Sequence, residues 1–118
     1  RFELRLMDGS SNPYLLQAGV IAAGLHGLHN KVNPGEPLSC NMYTDYKNYP
    51  NLKKLPNEIQ DALGFLQNSR ELKEAFGEDT INSYIKLKRM EIETFNQKEN
   101  FDKGSSVTEW EKNNTLDC

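Results

Sequence analysis

The sequence predicts a mainly α-helical fold with one strand at its N-terminus. Residues 2–6 alternate apolar and charged side chains, which is the period-two pattern of a strand with one charged face. A long apolar segment begins at Pro13, and apolar residues recur at helical spacing from Glu78 onwards. The 118 residues suffice for one modest core. No internal boundary is evident, so we expect residues 1–118 to belong to one domain.

The first helix is predicted from Pro13 to about His29. Asn12 is a typical N-cap, and proline is favoured at the first helical position because its missing N–H would be unpaired there anyway. The segment has almost no polar face, so we expect most of its sides to be buried against partner structure. A lone chain would then self-associate through residues 13–29 or aggregate.

The remaining helices are separated by clear breaks in the apolar pattern. Residues 30–55 form a long polar connection with aromatic anchors, which indicates a functional loop or a contact with another subunit. The later helices are predicted from their starts, stops and periodicity: one from Pro56, one at Arg70–Phe76 ending at Gly77, one from Glu78 to about Lys98, and one from Val107 to about Asn113.

Composition and charge argue against several classes of partner. The formal net charge of -3 and the alternation of lysines with acids leave no basic stripe for nucleic acid. The sequence has no uninterrupted apolar run of about 18 residues, the length that a membrane-spanning helix needs. Cys40 and Cys118 lie far apart without a CxxC spacing, which is typical of two reduced thiols in a cytosolic protein rather than a disulfide or zinc site.

The chemically informative residues lie on the charged face of the predicted strand. Glu3 and Arg5 point the same way in a period-two segment, and Arg1 shares that side. A glutamate suits a hard cation such as Mg²⁺ or Mn²⁺, and guanidinium forks match phosphate and carboxylate groups. Metal, phosphate and carboxylate meet in phosphoryl-transfer sites. The same spacing is also typical of a solvated face whose charges pair with one another.

A series of short motifs, all in register, resembles the C-terminal part of glutamine synthetases. The series covers nearly the whole chain, and its members are Glu3-Leu-Arg5-Leu-Met-Asp8, Asn12-Pro13-Tyr14-Leu15, Ala22-Ala23-Gly24-Leu25 through Asn30-Lys31, Pro34-Gly35-Glu36-Pro37, Asn41-Met42-Tyr43, Tyr84-Ile85-Lys86-Leu87-Lys88 and Thr108-Glu109-Trp110-Glu111. The resemblance implies that the chain is the C-terminal segment of an α+β catalytic domain and a piece of a longer protein.

The resemblance also implies roles for the three charged residues. Glu3 matches the family's ligand to a divalent cation, Mg²⁺ or Mn²⁺. Arg5 matches the arginine that contacts glutamate and stabilises the transferring phosphoryl group, and Arg1 matches one that contacts nucleotide phosphates. The implied enzyme makes γ-glutamyl phosphate from ATP and glutamate, and ammonia then displaces phosphate. The family further implies a cytoplasmic, ring-shaped homo-oligomer with sites between neighbouring subunits.

Other interpretations remain open from the sequence. The residues around Thr115–Cys118 resemble a subgroup that includes γ-glutamylmethylamide synthetases, so the amine can be ammonia or a small alkylamine. A noncatalytic helical interaction module with a ligase-like sequence is the alternative from another class. The 118 residues alone are expected to be inactive, because the family's other metal ligands and its adenine pocket would lie upstream.

Two further motifs are assigned structural rather than chemical roles. Tyr43 lies where some family members carry an adenylylated tyrosine, but Thr44-Asp45-Tyr46 replaces their Leu-Pro continuation, so packing in the loop is expected instead. His26 and His29 have a spacing that could suit a metal, yet no third ligand is near in sequence. We expect them to interact with the C-terminal end of the helix dipole.

Overall fold

The structure is a computed structural model that describes residues 3–7, 9, 11–98 and 107–114. The mainly helical class predicted from the sequence is confirmed. The helices are α1 (Pro13–His29), α2 (Met42–Asp45), α3 (Ile59–Asn68), α4 (Arg70–Phe76), α5 (Glu78–Lys98) and α6 (Glu109–Asn114), with a 3₁₀ turn at Tyr46–Asn48.

The predicted N-terminal strand is wrong. Residues 3–5 have no regular secondary structure, and Leu6 and Met7 form a bend. A strand is defined by hydrogen bonds to a neighbouring strand. The described part of the chain contains no strand with which residues 3–6 could pair. The predicted class, mainly α-helical with one N-terminal strand in a segment of an α+β domain, is therefore corrected to helices alone for the described residues.

Helix α1 has the bounds that its sequence predicts, because both ends are capped by asparagine. The Asn12 side-chain oxygen accepts hydrogen bonds from the amides of Tyr14 and Leu15, at 3.1 and 3.0 Å. At the other end, the Asn30 side chain donates to the His26 carbonyl at 2.9 Å. Lys31 then adopts a positive φ of 49°, the left-handed conformation that commonly ends a helix.

The core lies where α3, α4 and α5 meet. Leu63 of α3 and Ile81 and Ile85 of α5 are the buried hydrophobic residues in the described part of the chain, and each is at most 6% exposed. Partly buried neighbours complete the cluster: Leu66, Leu72, Phe76, Tyr84 and Ile92. The turn between α4 and α5 requires Gly77, whose φ of 84° would strain any residue with a Cβ. The two helices can therefore fold back against each other.

Several elements differ from the sequence prediction, and among them α6 begins at Glu109 rather than Val107. The second predicted helix begins at Ile59 rather than Pro56, because Glu58 is still extended at its N-cap. The short α2 within the long connection was not predicted; Asn41 caps it by accepting a hydrogen bond from the Tyr43 amide at 3.1 Å. Four residues are too few to show helical periodicity, so only the cap could have indicated this turn.

Helix α1 packs mainly on α4 and leaves much of its apolar surface uncovered. No residue of α1 is buried, and Leu28 and Ile21 are 75% and 61% exposed. The burial expected from its composition is thus not met by the residues that the structure describes. None of the helices in the described residues is both long enough and apolar enough to cross a membrane.

Candidate functional site

Glu3 and Arg5, two of the three residues predicted to form the site, are in direct contact. The Arg5 Nε donates a hydrogen bond to Glu3 Oε1, which makes an ion pair between residues two apart. Both side chains are largely exposed, 68% for Glu3 and 82% for Arg5. The alternation read from the sequence therefore puts both charges on one side, although the segment is not a strand.

The apolar residues of the same segment face the helices. Leu4, Leu6 and Met7 line an open groove whose other walls are α1 and the start of α4. The charged pair is consequently presented to solvent at the edge of the molecule.

Arg1, the residue predicted to contact nucleotide phosphates, lies outside the described residues. The structure accordingly brings together Glu3 and Arg5 and says nothing of Arg1.

The donor chemistry of Glu3 fits a hard divalent cation, but the described residues do not assemble a complete metal site. A carboxylate oxygen is a preferred ligand for Mg²⁺ and Mn²⁺, and this one is accessible. No group of three or more His, Cys, Asp or Glu side chains in the described part of the chain is arranged to hold a metal ion. Glu3 could thus supply one ligand, and the others would come from elsewhere.

The two histidines lie in the last turn of α1. The His26 Nδ1 is 3.3 Å from the Asn30 side-chain nitrogen, within the same hydrogen-bonded helix end. Imidazoles in a last turn interact favourably with the helix dipole. No metal-binding group of His, Cys, Asp or Glu includes them among the described residues.

Tyr43 does not have the packing role expected of it. Its side chain is 93% exposed, because α2 turns it towards solvent. Tyr49 is more enclosed, and the pKa of its phenol is raised by a hydrogen bond and a charge interaction with Cys40.

An apolar cleft of about 240 Å³ between α1, α4 and α5 is another concave feature of the described residues. The backbone amides at the start of α1 are already used: those of Tyr14 and Leu15 bond the Asn12 side chain, and that of Leu16 bonds the Asn12 carbonyl at 2.9 Å. This helix end therefore offers no spare donors to an anion, and the cleft has no evident catalytic chemistry.

Sequence reasoning missed two carboxylates that hydrogen bonds stabilise in their charged form. The pKa of Glu111 is lowered by hydrogen bonds from the backbone and hydroxyl of Thr108, at 2.7 and 2.9 Å. The pKa of Glu71 is lowered by hydrogen bonds from its own backbone and from Ser69. The sequence signal for these carboxylates was a Thr or Ser just before a short helix, followed closely by a Glu. Both glutamates take part in capping a helix N-terminus.

Comparison with known proteins identifies the class. A family model described as glutamine synthetase, catalytic domain, matches residues 1–111. The chain belongs to this family, which confirms the resemblance read from the motifs.

Individual relatives agree with that assignment. The chain is 44% identical to a glutamine synthetase of Rhizobium meliloti over 117 residues, which cover 99% of this chain and 25% of the relative. It is 35% identical to a gamma-glutamylethanolamide synthetase of Streptomyces coelicolor, over 94% of this chain and 21% of the relative. It is 34% identical to a glutamate–methylamine ligase of Methyloversatilis universalis, over 99% of this chain and 25% of the relative.

The chain spans about a quarter of the length of these curated relatives. No solved structure matches it.

Proposed function

We propose that this chain is part of an ATP-dependent glutamate–ammonia ligase that forms glutamine through γ-glutamyl phosphate. The observation that carries the proposal is the family match over residues 1–111, together with 44% identity to a glutamine synthetase. The chemistry has a clear logic: phosphorylation turns a poor leaving group, the carboxylate oxygen of glutamate, into a good one. Ammonia then displaces phosphate.

In this proposal, Glu3 supplies a carboxylate ligand to Mg²⁺ or Mn²⁺, and the bound cation neutralises charge on the phosphates. Arg5 contacts glutamate and the transferring phosphoryl group, for which its planar fork is suited. Arg1 contacts the nucleotide phosphates. The exposure of Glu3 and Arg5 at the edge of the helical unit supports these roles, since both side chains are accessible to groups outside this chain.

We extend the proposal to the whole protein. Residues 1–118 would form the C-terminal part of one catalytic domain and be inactive alone. The natural-length protein would be a cytoplasmic homo-oligomer of the ring type, with neither nucleic acid nor membrane as a partner. Uncovered apolar surface on α1 supports the need for further protein structure around this chain.

The test is a γ-glutamyl hydroxamate assay, dependent on ATP and glutamate, with the protein at its natural length. Glu3→Gln should lower kcat/KM by at least about 100-fold, because the cation loses a charged ligand at the reacting phosphates. The matched control is Glu74→Gln. Glu74 forms an ion pair with Arg70 at 2.7 Å on α4, and the side chains of this pair are about as exposed as those of Glu3 and Arg5. Full activity of Glu3→Gln would remove the metal-ligand role.

A second candidate differs in the amine. One relative is named a gamma-glutamylethanolamide synthetase and another a glutamate–methylamine ligase. These names make a small alkylamine a specific alternative to ammonia. A panel of ammonia, methylamine and ethanolamine, with the amide products identified by mass spectrometry, distinguishes them. Preference for an alkylamine by at least about 100-fold in kcat/KM would replace the glutamine-forming proposal, while equal or better use of ammonia would support it.

A noncatalytic interaction module is the alternative from another class. Titration of the natural-length protein with Mn²⁺, with its size followed by chromatography, separates the two classes. Tight cation binding that depends on Glu3 supports the ligase. Neither cation binding nor ATP turnover by a well-folded protein would favour the module.

A further inference from the structure

Helix α1 has a second apolar side, which faces away from α4. Apolar residues recur there three or four positions apart, a spacing that places them in one line along a helix. They form the outer stripe, which consists of Tyr14, Ala18, Ile21, Leu25 and Leu28. None of these five lines either of the two grooves described above, which use the opposite side of α1.

The composition of α1 is that of a helix buried on all sides. Its 17 residues include no Asp, Glu, Lys or Arg. A helix on a protein surface normally keeps a charged or polar face, whereas a helix that is apolar all round belongs to a core. This property is fixed by the sequence of α1 itself, so the outer stripe requires a neighbour from outside the 118 residues.

Three observations favour the same polypeptide over a second copy as the source of that neighbour. The curated relatives are about four times as long as this chain, so most of a subunit lies outside these residues. Interfaces between subunits usually carry a polar rim, and α1 has no charged residue with which to form one. Residues 4–7 already lie against α1, so the chain before them is held near the helix at a high effective concentration.

We infer that the outer stripe packs against the part of the same polypeptide that precedes residue 1, inside one subunit, and not against a second copy of the chain. The inference rests on the proposed function, which makes residues 1–118 the C-terminal part of a longer catalytic domain. It goes further by assigning this face of α1 to the core of the subunit. Helix α1 then lies between α4 and upstream structure and joins the helical unit to the rest of the domain.

The experiment places the photo-cross-linking residue p-benzoylphenylalanine at position 14 of the natural-length protein. An aromatic residue already occupies this position of the outer stripe, so the change in shape is small. After irradiation, denaturing electrophoresis should show the mobility of a single chain, and peptide mass spectrometry should find position 14 joined to a peptide upstream of residue 1. The matched control carries the probe at Leu16, which lines the same grooves as Leu72 of α4 and should cross-link within residues 1–118.

Two results of this experiment would overturn the inference. A cross-linked product with the mass of two chains would mean that the outer stripe faces a second copy. The absence of any cross-link from position 14 would mean that the stripe is uncovered, because a packed face places C–H groups against the probe.

The unmodified protein gives a second measurement that does not depend on tolerance of the probe. Hydroxyl radicals should oxidise Tyr14 at least about tenfold more slowly in the natural-length protein than in an unstructured peptide of residues 11–18, because a core side chain is reached only when the core opens. This protection should persist when the protein is diluted to single subunits, as judged by size-exclusion chromatography. Fast oxidation before or after dilution would contradict packing within one subunit.

The hydroxamate assay separates failure of this inference from failure of the proposed function. Cross-links to a second copy in an active ligase would overturn the inference alone. Cross-links to upstream structure of the same chain, in a folded protein without ligase activity, would overturn the proposed function and leave the packing of α1 as inferred.

Discussion

At the scale of single residues, hydrogen-bonded carboxylates organise the ends of the short helices. Glu111 accepts from the amide and hydroxyl of Thr108, while its own amide donates back to the Thr108 hydroxyl at 3.1 Å. This reciprocal arrangement is a capping box, and it satisfies amides that the first helical turn leaves without partners. A six-residue helix gains little from its own propagation, so α6 depends on the cap and on packing.

The first prediction concerns the charge of Glu111. Its pKa lies below the ordinary value of 4.5 because Thr108 donates to the ionised form. Ionisation is thus favoured by folding, and the stabilisation is complete above about pH 5.5 and lost as the pH falls through 4.5 and the lowered pKa. Thr108→Ala keeps the backbone donor and removes the hydroxyl donor, so it should raise the Glu111 pKa part of the way towards 4.5 in an NMR titration of side-chain carbonyls.

Glu71 provides the control for this titration. The pKa of Glu71 is also lowered, but by hydrogen bonds from its own backbone and from Ser69. Thr108→Ala should therefore leave the pKa of Glu71 unchanged. An unchanged Glu111 pKa in Thr108→Ala would show that the Thr108 hydroxyl does not stabilise the carboxylate.

At the scale of elements, the helices follow from local signals and their packing follows from a few apolar contacts. Asn12 with Pro13 marks the start of α1, and Gly77 allows the chain to turn from α4 into α5. Helix α5 then lays Ile81 and Ile85 against α3. At the far end of α5, the ring of Phe95 meets that of Trp110 edge to face, with centroids 5.3 Å apart, which attaches α6.

The second prediction tests this core. Ile85 is 3% exposed, whereas Leu87 on the same helix is 54% exposed. Ile85→Ala should lower the free energy of unfolding of the 118-residue chain by about 2–4 kcal/mol, because burial is lost and a cavity remains. Leu87→Ala should change it by less than about 0.5 kcal/mol. Urea denaturation followed by circular dichroism measures both, and equal effects would contradict the assigned core.

The third prediction tests the cap of α1. Asn12→Ala removes the acceptor for two amides and should destabilise the chain by about 1 kcal/mol. Asn12→Asp keeps an acceptor and adds a charge that suits a helix N-terminus, so it should retain the stability. A loss of equal size in both variants would mean that the amide group of Asn12, rather than its oxygen, is required.

At the scale of the whole molecule, the chain exposes more surface than a protein of its mass usually does. Its accessible surface is 10729 Å², against about 6,500 Å² expected for a compact monomer of this size. The radius of gyration is 17.0 Å, where about 13–14 Å is expected. Exposed large apolar residues contribute to this surface, and several of them lie on α1, which contacts the rest of the described chain mainly through α4.

The fourth prediction follows from this surface. The isolated 118-residue chain should self-associate, because large apolar patches are rarely left in water. Ile21→Lys places a charge on the exposed apolar face of α1 and should shift the chain towards monomer in sedimentation velocity. Gln17→Lys adds the same charge on the same helix at an already polar, exposed position and should have little effect. A fully monomeric parent chain would contradict this prediction.

Prediction from the sequence succeeded where the signal was local and failed where it depended on a partner. The bounds of α1, α4 and α5 could be read from Asn12, Gly77 and helical periodicity. The strand at residues 2–6 could not be decided this way, because alternation describes side chains while a strand also needs a neighbour for its backbone. For the candidate site, alternation correctly put Glu3 and Arg5 on one side, but it did not indicate that they pair.

The sequence by itself determined the helices, their caps and the family, because these depend on residues close along the chain and on motifs in register. Only the tertiary structure decided that Leu63, Ile81 and Ile85 form the core and that the face of α1 stays open, because burial depends on which helices meet. It also decided that Arg5 holds Glu3 in an exposed segment without a strand. A contact between two flexible charged side chains depends on where the backbone carries them, and periodicity alone does not specify that.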